Sequence, residues 1–437
     1  MFNSRMTRMI VMALLLTFSV PISALASGDD GDSDWIRDTG DILQIALPII
    51  GGAATFFTNP DSNKTWDREG TKQFVRAYGT AWTSTYLIKI VAGKARPNGA
   101  NRTSFPSGHT MSAFAGAAFI DGRFGRTYGI PAYGMALFTG YSRVHSGWHY
   151  RDDVLAGASI GMISNWIWTS PLPGKVQFLP TVDQYGYGVQ FSIGGESQKT
   201  NDASREDEPR GASYRFGFGP AFVVNNTAGS KGPGEGHFDL AGLEGFNDPT
   251  TTANVSVQIP VSRRGSLEIS YGPFEARDQG SYAEDVNFGG QVFAAGSPLD
   301  SSWRFYDLEM GYNHLLTDTP NWALSGSAGL GVMYSYATLA TQDGATSALV
   351  DDEVIYPFIG LNAERRLSPQ WALAMNTSGF ALGDDWILDV GGAVVWRPIR
   401  AWDLALGYNY FSRKIETETF YNKVNYNIPY LSISRFW

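Results

Sequence analysis

The spacing of apolar residues changes near Pro180, and this change constrains the fold more than any other feature of the sequence. Before this point, apolar stretches of helical length are separated by glycine, proline and charge. They predict five helices, over residues 41–57, 71–91, 109–119, 131–141 and 153–169. After it, large apolar side chains alternate with small or acidic ones, which is the period of a β-strand. The 437 residues suffice for two domains, so we expect an all-α helical bundle followed by an antiparallel sheet.

The alternation in the second half is typical of a transmembrane β-barrel. In residues 401–411, tryptophan, leucine and tyrosine occupy every second position, and aspartate, alanine, glycine and asparagine lie between them. Residues 306–312 and 322–336 show the same division. A membrane barrel needs an apolar band toward lipid, aromatic rings at the membrane edges and a polar interior. A soluble β-sandwich is the alternative, but it does not require aromatic residues at the strand ends.

We predict about twelve barrel strands, with eight or ten as alternatives. Nine are well defined and three are weaker, near 185–194, 213–225 and 236–244. Connections at 262–265, 316–320, 367–368 and 398–400 are short, whereas those at 275–300, 337–352 and 414–424 are long. Short connections are expected at the periplasmic rim and long ones at the outer rim. An even strand count then places both barrel ends on the periplasmic side, with the charged stretch 196–210 as the first external loop.

The beginning of the sequence has the pattern of a secretory signal peptide. Arg5 and Arg8 precede an apolar stretch at 9–20, and Ala24-Leu25-Ala26 supplies the small residues that a signal peptidase requires. A membrane anchor is the alternative, but the apolar run is shorter than the roughly 20 residues that cross a bilayer. We therefore expect cleavage after residue 26, a periplasmic helical domain over 27–175 and a barrel in the outer membrane over 180–437.

The C-terminal Phe436-Trp437 resembles the aromatic signature that outer-membrane proteins present to their assembly machinery, which makes that machinery an expected partner. Two positions depart from the signature. Trp437 stands where phenylalanine is usual, and Arg435 where a ring or another apolar side chain is usual.

Composition excludes several other functions. The sequence has no cysteine, which excludes a thiolate nucleophile, a disulfide scaffold and a zinc–cysteine cluster. Its net charge of −9 does not favour a broadly basic surface, so nucleic acid is not an expected partner.

Three of the five histidines lie in one short region of the helical domain, within three motifs. The motifs are Lys89 followed after six residues by Arg96-Pro97; Pro106-Ser107-Gly108-His109; and Ser142-Arg143 followed after five residues by His149 and after three more by Asp153.

The residue types in these motifs suit phosphoryl transfer. A loose transition state spreads negative charge over three oxygens, which cations and backbone N–H groups stabilise. Lys89, Arg96 and Arg143 supply the cations. Ser107 and Gly108 precede an apolar run, so a hydroxyl and a closely approaching N–H group can meet a phosphate at a helix start.

His149 and Asp153 are four residues apart and share one face if their segment is helical. The carboxylate then accepts a hydrogen bond from one ring nitrogen and leaves the other free as a nucleophile. His145 and His149 have the same spacing, which also suits a metal pair, but no further ligand is evident. We interpret His145 as a supporting or structural residue, and Lys94 as a solvated side chain near the site.

Together, the three motifs resemble the signature of the type-2 phosphatidic acid phosphatase and vanadium haloperoxidase superfamily, over roughly residues 71–170. The resemblance implies that His149 attacks phosphorus to form a phosphohistidine, that His109 protonates the leaving oxygen, and that water then hydrolyses the intermediate. It requires no metal or other cofactor.

The resemblance predicts a metal-independent phosphatase of phosphate monoesters. Lipid phosphates are the favoured substrates, namely lipid A, phosphatidate, phosphatidylglycerol phosphate or undecaprenyl pyrophosphate, because relatives with this motif act on them. Three alternatives remain open at this stage. They are a non-specific periplasmic acid phosphatase acting on small phosphomonoesters, a vanadate-dependent haloperoxidase, and a barrel pore or adhesin that carries an inactive enzyme domain.

Overall fold

The computed structural model describes residues 34–58, 66–172, 176–183, 186–193, 211–230, 236–240 and 249–437. The chain divides into two compact units between Glu208 and Pro209. The predicted signal peptide and the charged stretch 196–210 lie outside the described residues.

Five α-helices form the first part of the first unit, which confirms the helical prediction. They are α1 (Asp34–Ala54), α2 (Arg68–Ala92), α3 (Gly108–Phe124), α4 (Arg126–His145) and α5 (Arg151–Trp168). Most extend beyond the apolar stretches that predicted them, because polar residues continue the terminal turns. Within the part of the chain that the structure describes, no helix is long and apolar enough to cross a membrane.

Helix α3 is the centre of the bundle, and it contacts each of the other four helices. Glycines allow these close approaches. A Cβ atom added at Gly116 would lie 2.5 Å from the backbone of Leu47 in α1, and one at Gly157 in α5 would lie 2.4 Å from the carbonyl oxygen of Ser107. The side chains at the contacts form a core that includes Leu47, Phe119 and others. This packing brings the first turns of α3 and α5 together.

The helices are followed by a hairpin. Strands β1 (Val176–Asp183) and β2 (Gly186–Ile193) pair antiparallel in a two-stranded sheet of their own. The strand predicted near 185–194 therefore belongs to this hairpin and not to the barrel.

The second unit is a closed antiparallel β-barrel of ten strands. They are β3 (Ser213–Ser230), β5 (Thr250–Pro260), β6 (Gly265–Gly280), β9 (Leu299–Asp318), β10 (Trp322–Thr341), β11 (Ser347–Arg366), β12 (Trp371–Leu382), β13 (Asp385–Ile399), β14 (Trp402–Glu416) and β15 (Phe420–Phe436). Each pairs with the next in this order, and β15 closes the ring by pairing with β3.

The prediction of about twelve strands was wrong, and the alternative of ten is correct. One extra strand is the hairpin strand β2. The other, predicted at 236–244, contributes only β4 (His237–Asp239), which pairs with the end of β3. A second short hairpin, β7 (Val286–Phe288) with β8 (Gln291–Phe293), lies in the connection between β6 and β9. Alternation is a local pattern that short hairpins share, so it does not identify which strands join the ring.

The two faces of the barrel strands differ as the alternation predicted. In β9, Leu308 and Met310 are exposed on the outer face. Asp307 and Glu309, between and beside them, both accept hydrogen bonds from the hydroxyl of Tyr356, at 2.8 and 3.0 Å. Carboxylates therefore face the interior and apolar side chains the exterior.

Two of the connections predicted to be long are short. Strands β10 and β11 are joined by residues 342–346, and β14 and β15 by residues 417–419. At this rim the barrel interior holds a buried apolar cluster that includes Trp303, Phe305 and Phe411. Apolar side chains at this rim point inward as well as outward, so the alternation of apolar and polar residues is weaker. For this reason the ends of these strands were predicted as loops.

Candidate active site

The three motifs converge at one end of the helical unit. Lys89 lies in the last turn of α2, Ser107 caps α3, and Asp153 lies in the first turn of α5. Direct contacts join these segments. The Nζ of Lys89 donates to the carbonyl oxygen of Pro106 at 2.7 Å, and the N–H of Ser107 donates to the carbonyl oxygen of Asp153 at 2.9 Å.

His149 and Asp153 form a buried pair. Nδ1 of His149 lies 3.4 Å from Oδ2 of Asp153, which leaves Nε2 for other partners. The same oxygen accepts hydrogen bonds from the Tyr150 N–H, at 2.9 Å, and from the Ser104 hydroxyl. Burial lowers the pKa of His149, although Asp153 opposes the shift. The ring is therefore neutral at neutral pH, as a nucleophile must be.

Lys94 contacts the carboxylate of this pair, and the interpretation of Lys94 as a solvated side chain was wrong. Only 8% of the residue is exposed. Its ammonium group lies 2.5 Å from Oδ2 of Asp152 and 3.3 Å from Oδ1 of Asp153. Burial alone would raise the pKa of Asp153, but Lys94 and the hydrogen bonds from His149 and Ser104 lower it to about 2. Lys94 thus keeps a fully buried carboxylate ionised.

Two further cations lie close to the His149 ring. Lys89 donates to three backbone carbonyls of the loop before α3, including that of Thr103 at 2.5 Å. Burial, followed by the charge of Arg96, lowers the pKa of Lys89 to about 8. The Arg96 guanidinium donates to Asn101 Oδ1 at 2.9 Å and lies 5.0 Å from the centre of the Trp148 ring. Both charges act on His149, so the predicted nucleophile lies beside a cationic surface.

His109 and Arg143 share a carboxylate that the sequence analysis missed. Oδ1 of Asp41, on α1, lies 3.1 Å from Nε2 of His109 and accepts a hydrogen bond from Nη1 of Arg143 at 2.7 Å. Arg143 is buried and also donates to the carbonyl oxygen of Arg37. No spacing signal links Asp41 to either partner, because α1 lies far from both in the sequence.

The environment of His109 keeps its ring neutral in the unliganded protein. Burial lowers the pKa of His109 to about 4, the charge of Arg143 adds to this effect, and Asp41 opposes it. A second negative charge beside the ring would raise this pKa again.

The first turn of α3 is capped by Ser107 and open beside Gly108. Ser107 is buried, and its Oγ accepts hydrogen bonds from the N–H and the hydroxyl of Thr110. The Ser107 hydroxyl therefore caps the helix, in addition to its predicted role in contacting a ligand. A Cβ atom added at Gly108 would meet no atom within 4 Å, so the space beside the first unpaired N–H groups of the helix is free.

His145 lies at the end of α4, where its ring centre is 5.5 Å from that of Tyr141. Among the contacts of the described residues, none joins the His145 ring to His149 or Asp153. Among the residues that the structure describes, no group of three or more histidines and carboxylates is placed to hold a metal ion.

Comparison with known proteins agrees with this geometry. Residues 59–174 match the PAP2 superfamily. Over 159 residues, the chain is 39% identical to a lipid A 1-phosphatase of Porphyromonas gingivalis, covering 35% of each protein. Over 104 residues, it is 35% identical to the bacitracin transport permease protein BcrC of Bacillus licheniformis, covering 23% of this chain and 49% of the relative. The matches thus span between a third and a half of these relatives.

Among solved structures, the outer-membrane protease OmpT of Escherichia coli aligns with a TM-score of 0.38 and 8% identity, over 53% of this chain and 98% of that protein. Closure of the barrel rests on the pairing of β15 with β3 alone. The chain therefore carries a PAP2 superfamily domain at residues 59–174, followed by a closed ten-stranded antiparallel β-barrel.

Proposed function

We propose that this protein is a metal-independent phosphatase that hydrolyses lipid phosphate monoesters through a phosphohistidine at His149. One observation carries the proposal. A buried, neutral His149 is oriented by an ionised Asp153 and lies under the charges of Lys89 and Arg96. Such an arrangement suits a nucleophile that attacks a dianionic phosphoryl group.

Substrate binding uses the cationic surface and the helix start. Arg96, Arg143 and Lys89 contact the phosphate oxygens, and the N–H groups at Gly108 add donors at the positive end of α3. The bound phosphate also changes His109. Its negative charge raises the pKa of the ring, which is about 4 in the free protein, and so favours the protonated form that the next step requires.

In the first chemical step, Nε2 of His149 attacks phosphorus and the bond from phosphorus to the ester oxygen breaks. His109 donates its proton to the departing oxygen, so the lipid leaves as an alcohol. The phosphorylated ring carries a positive charge that Asp153 stabilises through Nδ1–H. In the second step, water attacks phosphorus, neutral His109 accepts a proton from that water, the bond from phosphorus to Nε2 breaks, and inorganic phosphate is released.

The lipid substrate and the location are further parts of the proposal. The partial relative named a lipid A 1-phosphatase supports a lipid phosphate. The exposed apolar outer face of the barrel suits the outer membrane. Ten is an even number, so the barrel begins and ends at the same rim, which we propose is the periplasmic one. A membrane barrel in the same chain raises the effective concentration of the helical domain near lipid.

The test is phosphate release by the detergent-refolded full chain in the presence of EDTA. The substrates are lipid A, phosphatidate, undecaprenyl pyrophosphate and p-nitrophenyl phosphate. We compare the wild type with His149→Ala and with the control His145→Ala, which removes a nearby ring outside the pair.

We expect turnover that survives EDTA, is lost in His149→Ala and persists in His145→Ala. Acid quenching during turnover should trap phosphohistidine in the wild type only. Loss of turnover in EDTA that metal restores would contradict the metal-independent mechanism. Turnover by His149→Ala would contradict the nucleophile, and a preference for p-nitrophenyl phosphate over all the lipids would contradict the lipid substrate.

A further inference from the structure

Ser104 lies in the loop between α2 and α3, outside the three sequence motifs. The residue is fully buried, with 0% of its surface exposed. Its backbone is held by two residues of the neighbouring segments. The Ser104 N–H donates to the carbonyl oxygen of Lys94 at 2.9 Å, and the Ser104 carbonyl oxygen accepts from Nζ of Lys89 at 3.5 Å. These contacts fix the place of the Ser104 hydroxyl group.

The Ser104 hydroxyl lies beside both members of the buried His149–Asp153 pair. It donates to Oδ2 of Asp153, and its oxygen lies 3.5 Å from Nδ1 of His149. Oδ2 of Asp153 is 3.4 Å from the same ring nitrogen. Nδ1 therefore faces two oxygen atoms, one from a hydroxyl group and one from a carboxylate. Catalytic hydrogen bonds are often this long in an unliganded enzyme, and they shorten in the complex that reacts.

The direction of the Ser104 hydrogen bond decides which nitrogen of the His149 ring carries the proton. A hydroxyl group has one hydrogen to donate, and either Asp153 or Nδ1 of His149 can accept it. The carboxyl of Asp153 has a pKa of about 2 and is ionised, so its charge makes it the stronger acceptor. Both described partners of Nδ1 are then acceptors, and Nδ1 carries the ring proton. Nε2 keeps the lone pair that attacks phosphorus.

We propose that Ser104 is a positioning residue for the nucleophile: its hydroxyl donates to Asp153 and accepts from Nδ1–H of His149, which keeps the lone pair on Nε2. The inference rests on the proposed function and deepens it, because it explains how the neutral ring is held in its reactive tautomer. Phosphorylation of Nε2 gives the ring a positive charge. The same two oxygens then accept from Nδ1–H, so Ser104 acts both on the attack and on the intermediate.

Three substitutions in the detergent-refolded full chain test this role. Ser104→Ala removes the hydroxyl group. Ser104→Cys replaces it with a thiol, which is a weaker donor and a weaker acceptor. The matched control is Ser159→Ala, which removes another fully buried hydroxyl group from the helical unit. The Ser159 hydroxyl donates to the carbonyl oxygen of Leu155 in α5, at 2.8 Å.

The first readout separates kcat from KM, for phosphate release from phosphatidate in mixed micelles and from p-nitrophenyl phosphate. Ser104→Ala should lower kcat about tenfold with both substrates, because a hydrogen bond to a charged group is lost. The kcat of Ser104→Cys should lie between those of Ser104→Ala and the wild type. KM should not change, since Ser104 contacts the nucleophile pair and not the substrate. Ser159→Ala should keep the wild-type kcat and KM.

The second readout is the tautomer itself, measured without substrate by solid-state nitrogen NMR of the histidine-labelled full chain. The signals of His149 are identified by their absence from the spectrum of His149→Ala. In the wild type, Nδ1 should have the chemical shift of a protonated nitrogen and Nε2 that of an unprotonated one. Ser104→Ala should show a mixture of both tautomers, and Ser159→Ala should preserve the wild-type signals.

Wild-type kcat in Ser104→Ala, an equal loss in Ser159→Ala, or a raised KM at unchanged kcat would overturn the inference. A wild-type tautomer in Ser104→Ala would also overturn it. Failure of the proposed function is a different result, because the wild type would then cleave neither substrate in a His149-dependent way. The NMR signals need no turnover, so they test Ser104 in that case too.

Discussion

Replacing Lys94 by methionine tests how the carboxylate behind the nucleophile is held. The ammonium group lies 3.3 Å from Oδ1 of Asp153 and 2.5 Å from Oδ2 of Asp152, and all three side chains are buried. At an effective dielectric constant of about 20, unit charges 3.3 Å apart attract by about 5 kcal/mol. Removing one partner of a buried ion pair costs about 3–5 kcal/mol. Since the free energy of unfolding of a domain is about 5–15 kcal/mol, we expect the helical unit of the Lys94→Met variant to be marginally stable.

The same substitution changes the chemistry of Asp153. Lys94 is the largest of the influences that hold the pKa of this carboxyl down, at about 2, against the effect of burial. Without the ammonium charge the pKa rises. A protonated Asp153 no longer stabilises the positive charge on phosphorylated His149. Each unit of pKa corresponds to about a factor of ten, so we expect at least a tenfold loss of kcat at mildly acidic pH. Activity should recover as the pH rises and Asp153 ionises.

The assay follows the kcat of the refolded full chain across pH, together with the urea concentration that abolishes activity. Lys94→Met should lower that urea midpoint. Adding Asp152→Asn removes one of the two carboxylates that face Lys94 and should restore part of the midpoint. Wild-type stability and an unchanged pH profile in Lys94→Met would refute the reasoning. A lower midpoint with an unchanged profile would limit Lys94 to a structural role.

Two further predictions follow from close contacts in the site. Asp41→Asn removes the charge that raises the pKa of His109, so this pKa falls below about 4, and the basic limb of the pH profile of kcat/KM should move to lower pH. The control Asp38→Asn, at an exposed position on the same helix, should leave the profile unchanged. Identical profiles for the two variants would contradict the role of Asp41. Gly157→Ala places a Cβ atom 2.4 Å from the carbonyl oxygen of Ser107, at the start of α3, so activity and the urea midpoint should both fall. The control Gly134→Ala, whose added Cβ atom meets open space on α4, should preserve both. Wild-type activity and urea midpoint in Gly157→Ala would show that the two helices separate easily.

The fold class was predictable from the sequence because hydrophobic period is a local property. Five stretches of helical period became five helices, and strict alternation near residues 401–411 became strand β14. The strand count was not predictable, since a hairpin strand such as β2 alternates as a barrel strand does. Membership of the ring depends on which backbone groups pair across the sheet, and residues distant in the sequence determine those pairs.

The candidate site divides in the same way. The motif residues were found because a phosphate needs cations and donors. The four-residue spacing of His149 and Asp153 predicted their contact, but not the reason for it, because His149 lies in the bend before α5 and only Asp153 is in the helix. Asp41 was missed because it reaches His109 only through the packing of α1 against α3.

By itself, the sequence determined the motifs and the periodicity of this protein: a histidine with its carboxylate, three cations in the same motifs, helices first and strands afterwards. The tertiary structure alone decided that ten strands close the ring, that Lys94 is buried against two carboxylates, and that Asp41 meets both His109 and Arg143. The physical reason is that chemistry and period belong to neighbouring residues. Burial, charge compensation and ring closure depend on groups that only folding brings into contact.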